Sequence, residues 1–270
     1  MTFIETYFHT NRWPQIAAWV LVSLFLLGVF FPLLGAWTGA ILGVWFVGTQ
    51  KPRRGFLWQI AFTLLPSLAS NWRKFPLTGV EQALQYVAWM MLAAVLSVLP
   101  FLFHRLTSPR LPGFLSTLPL PVSGALLQTL APAWLPANIF SLYGLAQSQK
   151  ANTPLEHIAA AFGYGAVAFL VYWFAAAVVW MWNHEFRASK VAVGASLFAA
   201  VYVLAAGFGI YRQFTGVALP STPPTHTTFA WICLGGALAL SIWALLRPGK
   251  PRLPWANRPE ITLLQSPCTG

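Results

Sequence analysis

The chain has 270 residues, of which 57% are hydrophobic and only 8% are charged. Soluble domains carry about 25% charged residues, and a globule of this size cannot hide so much apolar surface from water. The composition therefore excludes a soluble protein and predicts an all-α polytopic membrane protein without a soluble domain.

Apolar runs separated by prolines or basic loops predict about eight transmembrane helices within residues 1–247, followed by a basic cytoplasmic tail at 248–270. Pro32 divides the first apolar run into a helical hairpin, because proline interrupts a helix and one bilayer crossing needs only about 20 residues. The predicted spans are 15–31, 33–49, 55–70, 81–103, 112–130, 154–182, 191–211 and 228–246.

Two of these spans depart from a plain apolar helix. Pro119 and Pro121 fall in the first half of the fifth span and predict a kink that packs against other helices. The sixth span would be about 40 Å long as one helix, which exceeds the hydrocarbon core of about 30 Å. Its N-terminal end, with Glu156 and His157, is therefore expected to project beyond the hydrocarbon.

The net charge of +11 is unevenly distributed over the eight predicted spans. Twelve of the 16 Lys and Arg residues fall on one side, and an excess of basic residues in short loops marks the cytoplasmic side of a membrane. Both termini are therefore predicted to be cytoplasmic. Nucleic-acid binding is not expected, since no stretch interleaves basic and aromatic residues in the manner of a nucleic-acid groove.

The residues offer little chemistry for a catalytic or metal site. Cys233 lies in an apolar run, Cys268 has no neighbouring base, and the five histidines show no metal-ligand spacing. Glu156 and His157 are adjacent, so they point about 100° apart on a helix and cannot orient one another for hydrolysis. No charged residue lies in the middle of a predicted span, which disfavours an ion-coupled transporter.

Four stretches carry a family resemblance: FPLLGAWTGAILGVWF (31–46), PGFLSTLPLPVSGALLQ (112–128), YGLAQSQKANTPLEHIAAAFGYGAVAFLVYWFAAAVVWMWN (143–183) and AAGFGIYRQ (205–213). Together they resemble the membrane part of the apolipoprotein N-acyltransferase family and its nitrilase-related membrane relatives. The resemblance implies an eight-span bundle in the bacterial cytoplasmic (inner) membrane.

Members of that family carry a periplasmic nitrilase-like domain between their seventh and eighth spans. Its Glu-Lys-Cys triad takes a fatty acyl group from a phospholipid and passes it to the N-terminal amine of a lipoprotein. Here only residues 212–227 occupy that place, and no cysteine is predicted on the outer face. The resemblance thus implies the membrane scaffold without the catalytic machinery, and no catalytic residue is assigned.

The leading interpretation is a non-catalytic membrane scaffold that serves as a structural or accessory subunit of a larger membrane complex, with phospholipid and other membrane subunits as partners. One alternative is the lipid-binding membrane half of a split apolipoprotein N-acyltransferase. Another is a pigment- or haem-associated subunit of an energy-converting complex, using histidines near span ends. The lipid- or partner-facing surface is predicted to include Trp134, Asn138, Tyr143, Gln147 and Tyr164.

Overall fold

Helices make up all of the regular structure in the part of the chain that the structure describes. This computed structural model describes residues 32–49, 55–61, 64, 79–135, 149, 152–184, 186–216 and 227–246. A helix satisfies its own backbone hydrogen bonds, which a segment surrounded by lipid must do. The predicted all-α class is therefore confirmed for these ranges.

Seven α-helices have defined bounds within the described ranges. They are α1 (Pro32–Thr49), α2 (Val80–Thr107), α3 (Pro119–Trp134), α4 (Thr153–Phe162), α5 (Tyr164–Asn183), α6 (Ala188–Phe214) and α7 (Thr227–Leu246). Two short 3-10 helices, Ser108–Arg110 and Gly113–Thr117, connect α2 to α3. Residues 55–61 are also helical.

Among the described residues, five helical segments are long and apolar enough to cross a membrane. These are Val80–Arg110, Gly113–Ala131, Tyr164–Asn183, Val191–Phe214 and Phe229–Leu246, and Leu34–Trp45 is a shorter apolar helix. The predicted span 15–31, half of 55–70 and the tail 248–270 lie outside the described residues. A multi-spanning membrane protein is supported, and the total of eight spans stays a prediction.

The expected kink at Pro119 and Pro121 is replaced by a helix start. Residues Gly113–Thr117 form a 3-10 helix, and α3 begins at Pro119, so both prolines lie in its first turn. The N–H groups of a first turn have no acceptor within the helix, so proline costs nothing there, and its fixed φ suits the position. The span predicted at 112–130 corresponds to the helical segment Gly113–Ala131, which is a 3-10 helix followed by α3 instead of one kinked α-helix.

The predicted span 154–182 is divided at Gly163, which has φ 83° and ψ 169°. A side chain would be strained at this positive φ, whereas glycine adopts it readily. The Gly163 N–H still donates to the carbonyl of Ala159 at 2.8 Å, closing α4 before α5 begins. Leu155 and His157 are buried, so α4 packs into the bundle. Projection of this end beyond the hydrocarbon stays a prediction.

Contacts between helices define two ends of the bundle. At one, the Arg105 guanidinium donates to the carbonyl of Val47, which joins the C-terminal ends of α2 and α1. This is called the Arg105 end. At the other, Gly163 separates α4 from α5, and Gly165 lies against Thr129 near the C-terminus of α3. This is called the Gly163 end.

Helix α5 lies at the centre of the bundle and runs from the Gly163 end to the Arg105 end. The rings of Phe114, just before α3, and Trp180, near the end of α5, lie 5.2 Å apart. α5 packs against α1, α3, α4, α6 and α7. α6 and α7 both flank α5, and neither packs lengthwise along the other. The bundle is therefore organised around one helix that is almost entirely enclosed.

Candidate functional site

Polar side chains are buried at the Gly163 end, where the chain enters α4. The Trp37 indole N–H donates to the Gln149 side-chain oxygen at 3.0 Å, and Gln149 is only 1% exposed. The carbonyl of Gln149 accepts a hydrogen bond from the Asn152 N–H at 2.8 Å, immediately before α4. The hydrogen bond between Trp37 and Gln149 holds the segment before α4 against α1, although the two residues are 112 positions apart in the sequence.

The ring of Trp37 also contacts two further helices, α5 and α6. Its ring meets Phe174 of α5 edge-on with centroids 5.2 Å apart, and Tyr202 of α6 at 6.2 Å. Such edge-to-face pairs are worth about 0.5–1.5 kcal/mol beyond the area they bury. Trp37 of α1 therefore contacts α5, α6 and Gln149, and so helps to fix their positions relative to one another.

Helix α4 is held against α6 by backbone contact. An ideal Cβ placed on Gly209 of α6 would lie 2.2 Å from the carbonyl oxygen of Pro154. Only glycine permits this approach, because that distance is far shorter than any real Cβ contact. The rings of Phe162 and Phe208 add a second contact, with centroids 5.3 Å apart. α4 is consequently seated on α6 at both of its ends.

The start of α5 is held against α3 in a similar way. An ideal Cβ on Gly165 would lie 2.2 Å from the Thr129 hydroxyl and 2.9 Å from the Ala125 carbonyl. Tyr164, the preceding residue, packs against one apolar cluster from α2 and α3 and another from α4 and α5. The turn at Gly163 is therefore enclosed by α3 on one side and α6 on the other.

His157 brings a titratable group into this enclosed region. It is 5% exposed, on the side of α4 opposite Leu155, and its Nδ1 has no hydrogen-bond partner in the described part of the chain. A buried polar atom without a partner costs about 1–3 kcal/mol, so it marks a place where a polar group could bind. Neighbouring Glu156 is only partly buried. The described residues contain no group of three or more His, Cys, Asp or Glu side chains able to hold a metal ion.

The five residues predicted to face lipid or a partner fall mainly in the stretch before α4. Asn138, Tyr143 and Gln147 lie outside the described residues. Trp134 ends α3, and its side chain is not described. Tyr164 is partly buried and packs between the two clusters named above. Its role as a partner-facing residue stays a prediction, while its position shows a packing role.

Two residues of this region had no recognisable signal in the sequence. Gln149 stands two positions after Gln147 in a polar stretch, and nothing local distinguishes the amide that is buried. Trp37 is one of several tryptophans in apolar runs. Their pairing depends on α1 and the entry to α4 meeting in space, which no local pattern encodes.

The histidines considered for a pigment or haem are in different environments. Nδ1 of His184 lies 2.8 Å from the Trp180 carbonyl, and its ring contacts the Trp180 ring at a tilt of 40°, with centroids 4.4 Å apart. His184 therefore interacts with the last turn of α5. Nδ1 of His104, at the Arg105 end, is buried without a partner among the described residues, as in His157. His9 lies outside them.

Comparison of the chain with protein-family models, with curated proteins and with solved structures finds no match. The relationship to the apolipoprotein N-acyltransferase family therefore stays a prediction from the sequence stretches that resemble it.

Proposed function

We propose that the chain is a non-catalytic integral membrane scaffold that acts as a structural or accessory subunit of a larger membrane complex. The observation that supports this function is the contrast between the central and outer helices. In the apolar windows of α6 and α7, 6% and 11% of residues are buried inside the chain, against 72% for α5. Most of the surface of both outer helices is thus available to lipid or to another membrane protein.

The narrow attachment of α6 supports a role in assembly. Its inward residues form one stripe, with Gly194, Phe198, Tyr202 and Gly209 spaced at one or two turns. The remaining circumference exposes side chains along 27 residues. In lipid, helices associate through close packing rather than through the hydrophobic effect, so a partner helix could pack here without displacing a contact between described residues.

The proposed location is the bacterial inner membrane, with both termini in the cytoplasm. Described charged residues favour the Arg105 end as the cytoplasmic one, because Arg105, Arg110 and Arg187 lie there. Glu81 and Glu156, together with Arg212, belong to helix segments at the Gly163 end. Basic residues concentrated on one side are typical of the cytoplasmic side.

A second candidate function is the lipid-binding membrane half of a split apolipoprotein N-acyltransferase. The observation that favours it is the buried His157 beside the break at Gly163, because this end is the outer one in the proposed orientation. A separately encoded nitrilase-like chain would dock at this end. Acyl transfer that appears only when both chains are combined would favour this function over the scaffold alone.

Purification tests the scaffold function directly. The tagged full chain is extracted from its native membrane into lipid nanodiscs, and co-purifying proteins are quantified. We expect a membrane partner in stoichiometric amount. A chain that is recovered alone under these conditions would contradict the subunit role.

Two bulky substitutions identify the helix that the partner contacts. An ideal Cβ on Gly207 of α6 or Gly235 of α7 meets nothing within 4 Å, and both glycines are exposed, so we expect tryptophan at either position to be accommodated on the helix surface. If the partner packs on α6, Gly207→Trp reduces its recovery and Gly235→Trp does not. Equal recovery with both variants would place the partner elsewhere on the chain.

A further inference from the structure

A second group of polar side chains lies at the Arg105 end, where α1, residues 55–61 and α2 meet. An ideal Cβ on Gly43 of α1 would lie 2.9 Å from the Phe101 ring and 3.2 Å from Gln59 Nε2. These contacts place the three segments together one helical turn from Val47 and Arg105. Gln59 is buried there, so the site combines polar groups with a closely packed wall.

The two terminal nitrogens of the Arg105 guanidinium differ in their partners within the described part of the chain. One terminal nitrogen donates to the Val47 carbonyl and thereby caps the C-terminal end of α1. The other is buried and has no hydrogen-bond partner among the described residues, and neither has Nδ1 of the adjacent His104. Capping of α1 accounts for the position of the first nitrogen. It does not account for the burial of the second nitrogen or of the His104 imidazole.

The charge balance at this site favours an anion. The C-terminal end of α1 carries the equivalent of about half a negative charge, which a full guanidinium charge exceeds. The described acidic residues, Glu81 and Glu156, lie in first turns at the Gly163 end. Within the described ranges, no carboxylate therefore neutralises Arg105.

We infer that Arg105 binds the phosphate group of an anionic phospholipid in the leaflet at the Arg105 end. The span Val80–Arg110 has 31 residues and is about 46 Å long, so its last turns reach headgroup depth in a bilayer with a core of about 30 Å. Arg105 is partly exposed, so a headgroup can approach its side chain. The guanidinium fork matches the geometry of phosphate oxygens.

This site does not depend on the proposed scaffold function. A bound headgroup would fix the end of α2 against α1 and would act as a polar link between the bundle and one leaflet. Loss of the lipid and loss of a protein partner are measured separately, so failure of one proposal leaves the other standing.

Lipid selectivity of the full-length chain tests the site. The wild-type protein is placed in nanodiscs of phosphatidylglycerol or phosphatidylcholine, and its thermal unfolding and the lipid retained after detergent exchange are measured. We expect higher thermal stability in phosphatidylglycerol and retention of that lipid. Arg105→Gln should weaken retention by about tenfold, because it removes a charge-assisted hydrogen bond. The matched control is Arg212→Gln at the Gly163 end, which should leave retention unchanged.

A further variant keeps the test decisive if Arg105→Gln fails to fold. Arg105→Lys keeps the charge and a donor for Val47 but loses the fork, so it should fold and retain less phosphatidylglycerol than the wild type. Wild-type retention in Arg105→Lys would overturn the assignment, as would equal stability of the wild type in the two lipids. Equal stabilisation by inorganic phosphate in neutral detergent would replace the lipid with a free anion and would also overturn it.

Discussion

Helices α5 and α6 are both apolar and long enough to span a membrane, yet they occupy opposite positions in the bundle. The central window of α5 is 72% buried, whereas that of α6 is 6% buried. Both contain several alanines, and glycine is more frequent in the exposed α6 than in α5, so small residues alone do not account for the difference. The difference in burial comes from the residues that contact other segments. Gly165 of α5 touches α3, and Trp173 of α5 donates a hydrogen bond to Thr117. Apolarity thus determines entry into the membrane, and specific contacts determine the place in the bundle.

The strongest test of this comparison exchanges leucine for alanine on each helix. Leu170 of α5 is 4% exposed, and Leu204 of α6 is 73% exposed. Leu170→Ala should lower the free energy of unfolding by about 2–5 kcal/mol, because it leaves a cavity in a packed core. Leu204 lies on the exposed face of α6, so Leu204→Ala should change the free energy of unfolding by less than about 0.5 kcal/mol.

Denaturant titration in mixed detergent micelles measures both leucine variants under the same conditions. Similar losses from the two substitutions would show that the exposed face of α6 is covered, and the comparison between the helices would fail.

A second test concerns the one stripe by which α6 is attached. Gly209→Ala would place a methyl group against the backbone of Pro154, which cannot move without shifting α4. We expect a loss of about 1–3 kcal/mol from overpacking, seen as a lower midpoint of thermal unfolding.

Gly207→Ala is the matched control, since it lies on the same helix and its Cβ would meet nothing within 4 Å. Alanine has a higher helix propensity than glycine, so this variant should be neutral or more stable by up to about 1 kcal/mol. A Gly209→Ala protein as stable as the Gly207→Ala protein would refute the close approach of α4 to α6.

The smallest expected effect concerns the hydrogen bond between Trp173 and Thr117. The indole N–H donates to the Thr117 hydroxyl at 3.1 Å, and both residues are buried. Thr117→Val keeps the shape but leaves the N–H unpaired, which should cost about 1 kcal/mol.

Ser196→Ala on α6 provides the comparison, because the Ser196 hydroxyl bonds only within its own helix on an exposed face. Its effect on thermal unfolding should be close to zero. If both substitutions had the same effect, the hydrogen bond of Trp173 would have no part in holding α5.

Helix positions were largely predictable from the sequence. The predicted spans 33–49, 191–211 and 228–246 correspond to α1, α6 and α7 with differences of at most three residues at either end. A run of apolar residues specifies a helix in lipid without reference to the rest of the chain. The predicted spans 112–130 and 154–182 are each divided near a proline or a glycine, whose effect depends on the backbone conformation that the bundle selects.

Glycines show most clearly where prediction from the sequence ends. Gly163 and Gly165 are two residues apart, but the first breaks the helix and the second is a contact with α3. Gly207 and Gly209 are equally close, and only Gly209 touches a neighbour. The same applies to the arginines near the end of α2, because the bond from Arg105 to Val47 joins residues 58 positions apart.

The sequence by itself determined that this protein enters a membrane, and it determined the approximate bounds of most of its described helices. The free energy of transferring a segment into lipid is nearly a sum over its own residues, so it can be read locally. Only the tertiary structure decided that α5 is central, that α4 is enclosed, and that one nitrogen of Arg105 has no partner among the described residues. Each of these depends on atoms brought together from distant parts of the chain, and their distances exist only after the helices have packed.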